Sequence, residues 1–123
     1  MLDFVARIDE LTFGSVVVEG KRYRRDILIS ADGTVKKRKG GLLMFGSHDI
    51  KKQELEELSQ GQPDVIIVGI GTDGTAHLAP EVESWAKANN VNLLVQPSCD
   101  VPAKINEFAE HKKRVAALIH ITC

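Results

Sequence analysis

Apolar residues follow two different rhythms along the chain. In the second half Val65-Ile66-Ile67-Val68 is a continuous run, and residues 91–95 and 115–121 are predominantly apolar. Such runs mark strands covered on both faces. Helical stripes stand between them. One begins near Pro80, which suits a first helical turn, and runs through Val82, Trp85 and Ala86 to Ala88 before Asn89-Asn90 ends it. Another begins near Pro102 and carries Ala103, Ile105, Phe108 and Ala109. An earlier helix is predicted over residues 50–59. Leu55 and Leu58 form its apolar stripe, Gly61 stands where a left-handed cap belongs, and Pro63 blocks continuation.

The first half is shorter in period. Residues 15–19, 23–29 and 34–38 read as strands, with reversals at Gly20 and at Asp32-Gly33. They predict an antiparallel meander. Within 23–29, Arg25, Ile27 and Ile29 share one face and Arg24, Asp26 and Leu28 the other, so the end near Arg24 and Arg25 projects beyond the core. Lys39-Gly40-Gly41 then breaks regular structure, and residues 42–47 form an apolar connection back to the body. Strands interleaved with helices imply a parallel core with right-handed crossovers. The fold class is therefore α/β with an antiparallel meander. Residues 1–123 make a single domain, since neither side of the glycine break is large enough to stand alone.

Composition narrows the class. Hydrophobic content of 43% and charged content of 27% are those of an ordinary globular chain. Cys99 and Cys123 form no close pair, so neither a disulfide framework nor a zinc knuckle is indicated. No apolar stretch would cross a bilayer and the N-terminus has no basic, apolar leader, which makes the cytoplasm the default address. The formal charge of −1 hides an asymmetry. Residues 1–52 carry 11 Lys/Arg against 7 Asp/Glu, and residues 53–123 carry 5 against 10. The two halves either balance each other or present a basic face to an anionic partner.

Chemistry enters at the loop Gly69-Ile70-Gly71-Thr72-Asp73-Gly74, which fits G-x-G-x-x-G after a buried strand. A dinucleotide fingerprint would need a helix opening at the third glycine and an acid ending the next strand. Here five residues intervene before Pro80, and the next strand ends at Gln96. No cofactor is expected. The loop still lies at the carboxyl end of a strand, where open α/β sheets place their crevice. Gly69, Gly71, Thr72, Asp73 and Gly74, with Ser98 and Cys99, form a candidate site for a small anion or for weak chemistry by Asp73 or Cys99. A tight corner without a ligand is the competing reading. His48, His77, His111 and His120 show no ligand spacing, so no metal is expected. A basic surface is predicted from Arg24, Arg25, Lys36, Lys37, Arg38 and Lys39. With only Tyr23 nearby to stack a base, lysines that guard a sheet edge explain it better than nucleic acid.

The stretch from Phe13-Gly14-Ser15-Val16 through Arg25-Asp26 resembles the opening of the Mth-type domain family. The likeness continues through Asp64-Val65-Ile66-Ile67-Val68-Gly69-Ile70-Gly71-Thr72, Val91-Asn92-Leu93-Leu94-Val95, Asn106, and Lys113-Arg114-Val115-Ala116-Ala117-Leu118-Ile119. It spans roughly residues 13–119. The family includes an adipogenesis-associated protein and a mitochondrial complex I assembly factor. The resemblance implies a layered fold, with a central mixed sheet flanked by helices and an antiparallel meander packed beside it. It implies no established catalysis and points to a binding or assembly module with a protein partner. The family usually has Thr near Ser98 and Tyr before Asn106; this chain keeps a hydroxyl at Ser98 and loses one at Ile105. A catalytic residue is not indicated, and the pattern does not give an oligomeric state.

Overall fold

The computed structural model describes residues 7–38, 49–74 and 76–122. Strands β1 (Ile8–Thr12), β2 (Ser15–Val18) and β3 (Lys21–Tyr23) pair antiparallel into a small sheet in that order. β4 (Ile27–Ile29), β5 (Val35–Lys37), β6 (Asp49–Ile50) and helix α1 (Lys52–Ser59) follow. Then come β7 (Val65–Ile70), β8 (His77–Leu78), α2 (Pro80–Ala88), β9 (Leu93–Gln96), a 3-10 turn at Ser98–Asp100, α3 (Val101–Glu110) and β10 (Val115–His120). The main sheet has the order β5-β4-β10-β7-β9, and β6 pairs with β8.

β7, β9 and β10 run parallel, whereas β4 lies antiparallel to β10 and β5 antiparallel to β4. Alternation along the strands explains their apolar runs. Ile27, Ile29, Val65, Ile67, Ala117 and Ile119 pack on one side, against Val101 and Ile105 of α3 and Val16 and Val18 of the small sheet. Leu28, Ile66, Val68, Ala116 and Leu118 pack on the other, against Leu55 and Leu58 of α1 and Val82 of α2. The sheet is thus covered on both faces, and each fully buried aliphatic side chain contributes about 1.5–3 kcal/mol. Among the described residues no helix is long and apolar enough to cross a membrane.

The α/β class with a mixed central sheet holds, but several expectations shift. The run 23–29 is not one strand. It breaks at Arg24–Arg25, so β3 belongs to the small sheet and β4 to the main one. The break turns Asp26 inward, where its side chain bonds to the end of β10. β1 joins the small sheet with only Ile8 buried, too weak a pattern to read. Ile50 lies in β6, so α1 starts at Lys52. Gly61 does not take the left-handed cap; Gln62 does, at φ 54°. At Gly61 a Cβ would stand 3.4 Å from Ala31 Cβ, so the glycine serves close packing there. The expectations for residues 39–47, Lys39 among them, and for His48 and Cys123 lie outside the described residues.

Candidate functional site

Sequence-distant polar residues meet where β4, β5 and β10 adjoin the start of α1. Ile27 pairs with Ile119, which sets Asp26 beside the end of β10. One Asp26 oxygen lies 2.7 Å from His120 Nδ1 and 2.7 Å from an Arg38 terminal nitrogen. The other accepts the Ile121 N–H at 3.0 Å. Arg38 turns its remaining donors to Glu54 as a two-point fork, Nε at 2.6 Å and Nη2 at 3.1 Å. Glu54 also accepts the Lys51 N–H that opens α1, at 3.1 Å. Arg38 is 5% exposed, Asp26 4% and His120 0%.

These contacts fix the charges. Burial pushes the Asp26 carboxyl up, but the bonds from His120, the Ile121 amide and Arg38 outweigh it, and its pKa lies below the ordinary 3.8. Burial likewise works against the Arg38 cation, and Glu54 followed by Asp26 reverse the effect, so its pKa is raised. With Asp26 ionised, His120 Nδ1 carries a proton and donates it. Nε2 then faces the Thr122 hydroxyl at 3.1 Å. An imidazole oriented by a carboxylate toward a hydroxyl can polarise that hydroxyl. Together Asp26, Arg38, Glu54 and His120 tie β4, β5, α1 and β10 to one another.

The predicted ligand loop touches the far side of this network. The Ser98 hydroxyl donates to the His120 carbonyl and accepts the Gly71 N–H at 2.8 Å, while the Ser98 N–H donates to the Gly71 carbonyl at 2.9 Å. A Cβ at Gly69 would lie 2.7 Å from Ser98 Oγ, so only glycine fits there. The Thr72 N–H donates to the Thr122 carbonyl at 2.8 Å and the Gly74 N–H to the Gly71 carbonyl at 3.1 Å. The Gly71, Thr72, Gly74 and Ser98 amides are thus each given to an acceptor within the protein. Gly71 and Gly74 take positive φ, at 101° and 69°, to make the turn. β8 follows, and α2 opens only at Pro80. Asp73 and Cys99 are exposed.

The basic surface is divided. Arg24, Lys36 and Lys37 are exposed, and Lys36 pairs with Glu57 at 3.3 Å. Arg25 is half-buried and donates to the Arg38 carbonyl at 2.9 Å. Arg38 is not on the surface at all: its side chain is the interior cation described above. Reading it as part of a basic run failed because two carboxylates from other elements hold it inside. Sequence reasoning also missed Asp26, Glu54, His120 and Thr122 as a cluster. A clue was available in Asp26, an acid on the same face as Leu28 in an apolar strand.

The two edges of the main sheet differ. β5 carries the exposed Lys36 and Lys37. β9, Leu-Leu-Val-Gln, carries no charge, and Val95 is 39% exposed. Beside β9 runs a shallow groove of about 380 Å³ lined by Leu78, Glu83, Ala86, Lys87, Leu93 and Val95 among others.

A mixed five-stranded sheet with helices on both faces and a small antiparallel sheet against one of them defines an Mth-type α/β domain. The chain belongs to the family described as "Protein of unknown function (DUF498/DUF598)", whose model matches residues 8–120. The structure called MT938 is 33% identical, with a TM-score of 0.79 over 96% of this chain and 99% of that one. The conserved hypothetical protein PH1505 from Pyrococcus horikoshii OT3 is 29% identical, with a TM-score of 0.75 over 95% and 99%. A Bordetella pertussis protein described as a Mth938-like domain shares the fold at 15% identity and a TM-score of 0.75, over 98% and 89%. No curated protein matches the chain.

Proposed function

We propose that this domain is a non-enzymatic binding module that receives its partner along the free edge of β9. The observation that carries this reading is the asymmetry of the main sheet. An open edge offers a row of unpaired N–H and C=O groups, and proteins blunt such edges with lysine, proline or a covering element. The β5 edge carries Lys36 and Lys37, whereas β9 has no charged residue and leaves Val95 exposed. An edge that no described residue guards, beside a groove of mixed apolar and charged lining, suits the addition of a strand. Most of the polar groups lean toward binding rather than catalysis, and the remaining nitrogen of His120 is taken up by the Thr122 hydroxyl. Asp26, Arg38, Glu54 and Ser98 spend their bonds on one another and on the backbone.

A photoreactive amino acid at position 95, expressed in cells, tests the reading. It is expected to yield discrete cross-linked adducts, and the same group at position 107, exposed on α3, is expected to yield none. Absence of adducts from position 95 would refute it.

A further inference from the structure

We infer that the occupant of the β9 edge is a second copy of this chain, paired antiparallel about a two-fold axis through Leu94. The inference rests on the reading of β9 as a docking edge and names what docks there.

The backbone of β9 sets the register. The Asn92 carbonyl accepts the Ile66 N–H at 2.9 Å, so Asn92 faces β7. Parallel neighbours engage alternate residues, so Leu94 and Gln96 also face β7 while Leu93 and Val95 turn their N–H and C=O groups to the open side. Centring the pair on Leu94 sets Leu93 opposite Val95 of the second copy, and each such pair exchanges both of its hydrogen bonds. A centre on Val95 would set Leu93 against Pro97, which has no N–H. A centre on Leu93 would call on Val91, whose N–H is already given to the Ala86 carbonyl at 2.8 Å. Only the Leu94 register satisfies the edge.

Side chains agree with this register. Leu93 and Val95 line the groove beside α2, so the two copies would set Leu93 and Val95 side by side on one face. The same axis lays the two α2 helices antiparallel. Glu83 and Lys87, exposed on the wall of that groove, then meet Lys87 and Glu83 of the other copy. A two-fold interface requires one patch to complement itself. An acid and a base one helical turn apart beside an uncharged strand meet that requirement, whereas an unrelated extended peptide would use the strand alone.

Sedimentation of the full chain over a concentration series up to about 1 mM, the scale of the weakest specific complexes, tests the inference. A monomer–dimer equilibrium is expected. Val95→Lys should weaken it about tenfold or more by placing a charge in the joined sheet. Val95 is partly exposed, so an unchanged melting temperature is the control for folding. Glu83→Lys should also weaken the dimer, and adding Lys87→Glu should restore it. A chain that stays monomeric throughout, or a dimer indifferent to all three variants, would overturn the inference. A monomeric pure chain whose position-95 adducts in cells contain a different protein would overturn self-pairing and leave the docking edge standing. No adducts of any kind would overturn both.

Discussion

Arg38 and Asp26 hold each other in the interior at a cost that only their complete engagement offsets. Removing one partner of a buried pair costs about 3–5 kcal/mol, because the other charge is left uncompensated. Asp26→Asn is therefore expected to lose stability of about that size near neutral pH. The sign of its pH dependence follows from the lowered Asp26 pKa. A carboxyl depressed in the folded state stabilises above its unfolded value of 3.8 and stops doing so as pH falls through its folded value. Urea denaturation of both proteins at about pH 7, 5 and 3 should show the gap between them narrowing from pH 5 downward. A gap of constant size would mean that Asp26 is not the charged hub of the cluster. This cluster was not legible in the chain. Asp26 and His120 are 94 residues apart, and Arg38 sits in a run of bases that reads as surface until Glu54 is seen beside it.

At the scale of elements, β7 and β10 were legible because both of their faces are covered, which leaves no polar residue within β7 and only the terminal His120 in β10. The helices were legible from stripes such as Val82 with Ala86 and Ile105 with Phe108, although α3 starts at Val101, one residue before the proline that announced it. Strand partners were not, since Tyr23 and Ile27 look continuous in sequence while belonging to different sheets. The corner after β7 was legible as glycine-rich, but the partners of its backbone groups were not. Its amides fold back onto Ser98 and Thr122. Ser98 ties β7 to β10 there, and Gly69 makes room for it, with Val101 Cγ2 at 3.0 Å from the would-be Cβ and Ser98 Cα at 3.2 Å. Gly69→Ala should overpack this junction and lower stability by about 1–3 kcal/mol, read as a shift in thermal midpoint. An unchanged midpoint would show that the junction relaxes freely and that the close approach is not structural.

Over the whole molecule, the layers share their labour. The central sheet and its covering helices bury the apolar bulk, and the small sheet closes one face through Val16 and Val18. The ionic cluster fixes how β4, β5, β10 and α1 meet. A single buried pairing scheme favours one register over others. The proposed binding reading looks to the periphery, where the two sheet edges differ in chemistry. β5 ends the sheet with lysines, and β9 ends it with backbone groups and aliphatic side chains. Amide exchange resolved to single residues, on the dilute chain and again on its assembled form, tests this account most directly. The dilute chain should show alternation along β9, with Leu94 and Gln96 slow and Leu93 and Val95 fast, and assembly should slow Leu93 and Val95 as well. Leu93 and Val95 amides that are slow already in the dilute chain, or that stay fast after assembly, would contradict it.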